Sequence, residues 1–132
     1  MVTVAGLGFR LQGSVASLRG ALRAAVEAAQ PSHGRPITLN ALATAADKAT
    51  HPALLQLATE LQLPIISVNL AHLANQAATP SVHVPARYGA HSVAEAAALA
   101  AAGPAATLLA RRCMSPDRLA TAALAFKENT AP

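Results

Sequence analysis

Val2-Thr3-Val4-Ala5-Gly6-Leu7-Gly8-Phe9-Arg10-Leu11-Gln12-Gly13-Ser14 opens the chain and decides its class. Residues 2–7 are short, apolar and β-branched at alternate positions, the pattern of a strand. Gly6, Gly8 and Gly13 punctuate a turn, and Ser14 is a good helix N-cap. Beyond it Val15, Leu18, Leu22 and Val26 recur at helical spacing, with Arg19, Arg23 and Glu27 on the other face. A helix is expected over residues 15–29, ended by Gln30-Pro31-Ser32-His33-Gly34 as a loop.

The same alternation continues outward. Residues 37–44 read as a second strand, and Asp47-Lys48-Ala49-Thr50-His51-Pro52 as a polar turn with Pro52 in the first turn of a helix. Leu54, Leu55, Leu57, Ala58 and Leu61 make residues 53–63 amphipathic. Pro64-Ile65-Ile66-Ser67-Val68 is short and apolar, as a buried parallel strand should be. Asn69 is placed to cap a short helix through Ala74. Residues 77–90, with Pro80, Pro85 and Gly89, have no periodicity and read as a long loop.

Ser92 then caps a helix over residues 93–102, stopped by Gly103-Pro104, and Ser92 and Glu95 have the capping-box spacing. Residues 107–112 and 119–126 are the fourth and fifth strands, joined by the turn Ser115-Pro116-Asp117. The tail from Lys127 is expected to fray. Strands alternating with helices imply right-handed crossovers and a parallel core. The short last turn makes its two strands antiparallel, so the expected fold is α/β, three-layer α/β/α, with a mixed sheet of about five strands. Residues 1–132 are read as a single domain.

Composition narrows the function. Hydrophobic residues make up 53% of the chain, alanine dominates them, and aromatics are 2%. Such a core packs closely around Leu, Ile and Val. The formal net charge is +4, but the arginines are scattered, without a Lys/Arg run or aromatic platforms. That argues against nucleic acid and suits an acidic small molecule. The apolar run over residues 94–110 is interrupted by Gly103-Pro104, so no membrane span is expected. With one cysteine, Cys113, read as a half-buried thiol near a strand end, and no signal-peptide pattern at the start, a cytoplasmic location is expected. The five histidines lack metal-ligand spacing, so no metal and no cofactor is expected; His33 and His51 are read as facing solvent.

Three features point to an anion site. The glycine turn leads backbone N–H groups to a helix N-terminus, with Arg10 able to grip a carboxylate. Asp47 and Lys48 follow a strand, at the sheet edge where open α/β sheets bind ligands. The loop carries His83, Arg87 and Tyr88 ahead of the Ser92 cap. A basic side chain and the chain's single tyrosine there suit closure over a small anionic molecule.

The glycine turn, the run Leu42-Ala43-Thr44-Ala45-Ala46-Asp47-Lys48 and the run Ser92-Val93-Ala94-Glu95-Ala96-Ala97-Ala98-Leu99 together resemble the family of the cobalamin-biosynthesis protein CobE and the C-terminal domain of the cobalt-precorrin hydrolase CbiG. The resemblance implies a role in corrin-ring synthesis. It carries over Gly6, Gly8, Arg10, Gly13, Asp47, Lys48, Ser92 and Glu95, to which the residue-level reading adds Ser14, Arg87 and Tyr88 as ligand contacts. Phe9 stands where the family commonly has a cysteine, Leu11-Gln12 where a second arginine is common, and Thr50-His51-Pro52 where an acidic residue often follows the Asp-Lys pair. The implied partner is an anionic corrin or precorrin intermediate, bound, delivered or assisted in its conversion. The alternatives are an enzyme acting on such an intermediate, with Asp47, Lys48 or His83 as acid or base, and a docking partner of another pathway enzyme. The lactone hydrolysis of the two-part relative is not implied for this part alone.

Overall fold

Strand β1 (Val2–Phe9) runs through the middle of the molecule, and its two faces organise everything else. The structure, a computed structural model, describes residues 2–33, 37–69, 71 and 92–127. Five strands form one sheet in the order β3-β2-β1-β5-β4. β2 (Ala41–Ala45) pairs parallel with β1, and β3 (Ile65–Val68) parallel with β2. β5 (Ala120–Lys127) pairs antiparallel with β1 along its whole length, from Val2↔Lys127 to Phe9↔Ala120, and β4 (Thr107–Met114) antiparallel with β5. The mixed five-stranded α/β fold expected from the sequence is the one observed.

Helices cover both faces. α1 (Val15–His33) and α2 (Pro52–Leu61) pack Leu18, Leu22, Leu54 and Leu57 onto Ala5, Leu7, Phe9, Leu42 and Leu124. On the opposite face α3 (Val93–Ala102) lays Ala96, Ala97, Ala98 and Leu99 onto Val4, Ala41, Ala43, Ala45 and Ala125. The alternation along β1 follows the two-residue strand period. Val4 belongs to the α3 face, and Ala5, Leu7 and Phe9 to the α1/α2 face.

Gly6 and Gly8 complete the α3 face, and this corrects their reading as turn residues. β1 continues two positions beyond Leu7 because its pairing with β5 continues to Ala120. A Cβ on Gly6 would stand 1.9 Å from the Ala94 carbonyl oxygen and 2.6 Å from the Ala98 nitrogen. Gly6 is therefore the place where the α3 backbone lies against the sheet.

Other boundaries shift for local reasons. α1 continues through Pro31 to His33 rather than ending before it. In the last turn, proline forfeits a single helical hydrogen bond, the one its nitrogen would give to the Glu27 carbonyl. α2 ends at Gln62 in the left-handed conformation at φ 56°, so Leu63 lies outside the helix. β2 starts at Ala41 rather than residue 37, with Asn40 accepting the Thr3 N–H on its Oδ1 at 2.8 Å. β3 is an edge strand with only Val68 buried, where full burial was expected. β4 extends to Met114 and β5 to Lys127, which is paired with Val2 rather than frayed. The Ser92 cap and the 93–102 helix fall where expected, with Ser92 Oγ accepting the Glu95 N–H at 3.4 Å. The expected short helix from Asn69 to Ala74 and the loop over 77–90 lie outside the described residues, Asn69 and Ala71 excepted.

Candidate ligand-binding site

The C-terminal ends of β1, β2 and β3 share one edge of the sheet, and α1, α2 and α3 begin there. α1 starts just after β1, and α2 just after the short 3-10 turn Ala46–Lys48 that follows β2. The first turn of α3 overlies the end of β1, since a Cβ on Gly8 would lie 3.5 Å from the Ala94 nitrogen. Three positive helix ends at one edge favour an anion there.

Each helix start is capped by its own sequence. Ser14 and Ser17 cap α1 reciprocally: Ser17 N–H donates to Ser14 Oγ at 3.1 Å and Ser14 N–H to Ser17 Oγ at 3.3 Å. His51 caps α2, its Nδ1 accepting the Ala53 N–H at 3.2 Å, with Pro52 at the first helical position.

The carbonyls at the end of β1 are taken up by side chains from neighbouring elements. Thr44 Oγ1 donates to the Leu7 oxygen at 2.8 Å, Thr121 Oγ1 to the Gly8 oxygen at 3.3 Å, and Lys48 Nζ to the Phe9 oxygen. Lys48 also lies 5.3 Å from the Phe9 ring centroid. His51 Nε2 reaches the Leu11 oxygen at 2.8 Å, and its ring meets Phe9 edge-on at 5.0 Å. His51 is thus anchored rather than turned to solvent. His33 ends α1, and its side chain lies outside the described parts.

Arg10 follows at the start of an exposed turn, its backbone fixed by an N–H bond to the Leu119 oxygen at 3.0 Å and by the Gly13 N–H on its own oxygen at 2.9 Å. Its guanidinium makes no hydrogen bond or ion pair among the described residues. Leu11 beside it is 73% exposed. Asp47 is exposed and Lys48 half-buried in the 3-10 turn.

The turn between β4 and β5 closes this edge. Asp117 accepts from Ser115 Oγ at 2.6 Å, Ser17 Oγ at 2.5 Å and the Leu119 N–H at 3.1 Å, tying that turn to the start of α1. The Ser115 hydroxyl first, then Ser17, then the Leu119 amide hold the Asp117 carboxyl below the usual carboxylate range.

The structure therefore gathers Arg10, Gly13, Ser14, Asp47, Lys48 and Ser92 at one edge of the sheet, with Gly8 beneath the α3 start. Gly6 lies deeper, buried under α3. Glu95 is fully buried, and its Oε2 accepts the Arg112 N–H from β4 at 2.9 Å, so its carboxylate bridges α3 to the sheet. His83, Arg87 and Tyr88 lie outside the described residues. Cys113 is partly buried, and burial pushes its thiol up, away from a reactive thiolate. Thr44, Thr121 and His51 were not singled out from the sequence; only His51 carried a local signal, standing just before a proline at a helix start.

Residues 3–125 match the family model for the cobalamin synthesis G C-terminus. The chain belongs to that family. Among solved structures, this family member is similar to CobE, a protein from the cobalamin (vitamin B12) biosynthetic pathway, at 35% identity over 98% of this chain and 93% of that one, with a TM-score of 0.78. It is similar to the cobalamin biosynthesis protein chiG of Agrobacterium tumefaciens at 38% identity over 97% of this chain and 100% of that one, TM-score 0.66. A cobalamin biosynthesis protein G homologue from Sulfolobus solfataricus shares the fold at 19% identity and TM-score 0.66, this chain corresponding to 37% of it. No curated protein matches the chain. The family membership makes it a cobalamin-biosynthesis protein of the CobE kind.

Proposed function

We propose that this protein binds an anionic corrin or precorrin intermediate at the C-terminal edge of its parallel strands, and so delivers it or assists its conversion. The observation that carries the reading is the convergence at one edge of three helix N-termini, the exposed Arg10, whose guanidinium is unpaired among the described residues, and the Lys48 ammonium. Corrin intermediates carry several acetate and propionate arms on an apolar macrocycle. Arg10 and the helix starts answer the carboxylates, and the exposed Leu11 answers the ring. Gly13, Ser14 and Ser92 shape the two helix starts, and Asp47 stands beside Lys48. Glu95 supports α3 from below.

Uroporphyrin, a tetrapyrrole with carboxylate arms, is a usable probe. Fluorescence titration is expected to give saturable binding, weakened about tenfold or more in Arg10→Ala, the cost of a lost charged hydrogen bond at roughly 1.5–3 kcal/mol. Because Arg10 is exposed, the melting temperature should not change. Equal affinity of variant and wild type would remove Arg10 from the site. Chemical conversion of a precorrin during the titration would instead make the protein an enzyme, with Asp47 and Lys48 the first residues to replace.

A further inference from the structure

Both nitrogens of His51 are engaged, in opposite senses. Nδ1 accepts the Ala53 N–H, which leaves the ring proton on Nε2, and Nε2 donates to the Leu11 carbonyl across 40 residues of sequence. The edge-on contact with Phe9, at 74° between the ring planes, fixes the imidazole plane. The turn that carries Arg10 has two backbone bonds, Arg10 N–H to Leu119 and Gly13 N–H to Arg10. Among the described residues, His51 supplies the one side-chain bond into it.

We infer that His51 is a positioning residue of the anion site: its imidazole ties the Arg10–Leu11 turn to the start of α2 and so holds Arg10 beside the α2 N-terminus. This rests on the proposed binding of a polycarboxylate at this edge. The imidazole joins two segments that the sheet alone does not hold together, because the turn lies beyond the last β1–β2 pair at Gly6↔Ala43. It acts on the ligand through Arg10, whose backbone neighbours the tethered carbonyl.

The test separates the cap from the tether. In His51→Asn the shorter side chain still accepts an N–H as an N-cap does, but its amide does not span to Leu11. Amide hydrogen exchange of residues 11–13 in the ligand-free protein should quicken about fivefold, the factor for a lost ~1 kcal/mol hydrogen bond, while exchange in α2 stays as it was. Uroporphyrin affinity should fall by about the same factor, with the melting temperature lowered only by the few degrees that a ~1 kcal/mol loss gives. His51→Ser, a cap of still shorter reach, should behave alike, which covers the case of an Asn variant that folds poorly. Unchanged exchange of residues 11–13 would overturn the tether. Quickened exchange with unchanged affinity would overturn its part in binding. A wild-type protein that does not bind uroporphyrin, yet shows the exchange change, would overturn the site reading itself and leave His51 a structural clasp.

Discussion

The two faces of the sheet are packed by different means. Against α1 and α2 the sheet presents Leu7, Phe9, Leu42 and Leu124, and large side chains interlock with Leu18, Leu22, Leu54 and Leu57. Against α3 it presents Val4, Gly6, Gly8 and a run of alanines, and α3 answers with alanine. On the first face contact is made by side chains; on the second, backbone nearly touches backbone. A helix so seated has little freedom to shift, and its N-terminus is held over the end of β1. The glycines that suggest a ligand cradle in the sequence thus do their work one step earlier, by bringing α3 to the edge where a ligand would sit.

Adding a single methyl to each glycine breaks or sharpens this contrast. Gly6→Ala drives a Cβ into the Ala94 carbonyl and should destabilise the fold by about 3 kcal/mol or more, read as a lowered urea midpoint. Gly8→Ala meets only the Thr121 hydroxyl at 3.0 Å and softer contacts at 3.5 Å, and should cost about 1 kcal/mol or less. Equal effects at the two positions would mean α3 adjusts freely, against the close seating described here.

On the side-chain face, Thr44→Val keeps the volume and removes the donor to Leu7. A buried carbonyl left unpaired should cost about 1–2 kcal/mol by denaturant unfolding. A neutral result would mean that the hydroxyl contributes no net hydrogen bond.

The smallest expected effect lies at the rim, where Asp117 joins the β4–β5 turn to α1. Its folded pKa is lowered. Its contribution is therefore present above the unfolded carboxylate value of about 4 and fades as pH falls through the lower folded value. The stability gap between wild type and Asp117→Asn should be widest near neutrality and close in acid. A gap independent of pH would show that the network acts through geometry and not through charge.

Much of this was legible in the chain because it is local. Ser92 with the 93–102 helix and Gly103, Pro52 at the start of α2, and the antiparallel turn at Ser115-Pro116-Asp117 each depend on residues within one helical turn or one hairpin. The α/β class followed from the alternation of strand and helix patterns, and the Asp47-Lys48 edge from its place after a strand. What the sequence left open depended on partners far along the chain. Whether Gly6 and Gly8 lie in a turn or a strand was decided by β5, which pairs with β1 as far as Phe9. Their purpose was decided by the α3 backbone. β3 lies at an edge because the strand order places it there. His51 reads as a solvent-facing polar residue until the fold sets Phe9 and Leu11 against it. A side chain's spacing from its neighbours is written in the sequence; which backbone approaches it from the other side of a sheet is settled only when the layers close.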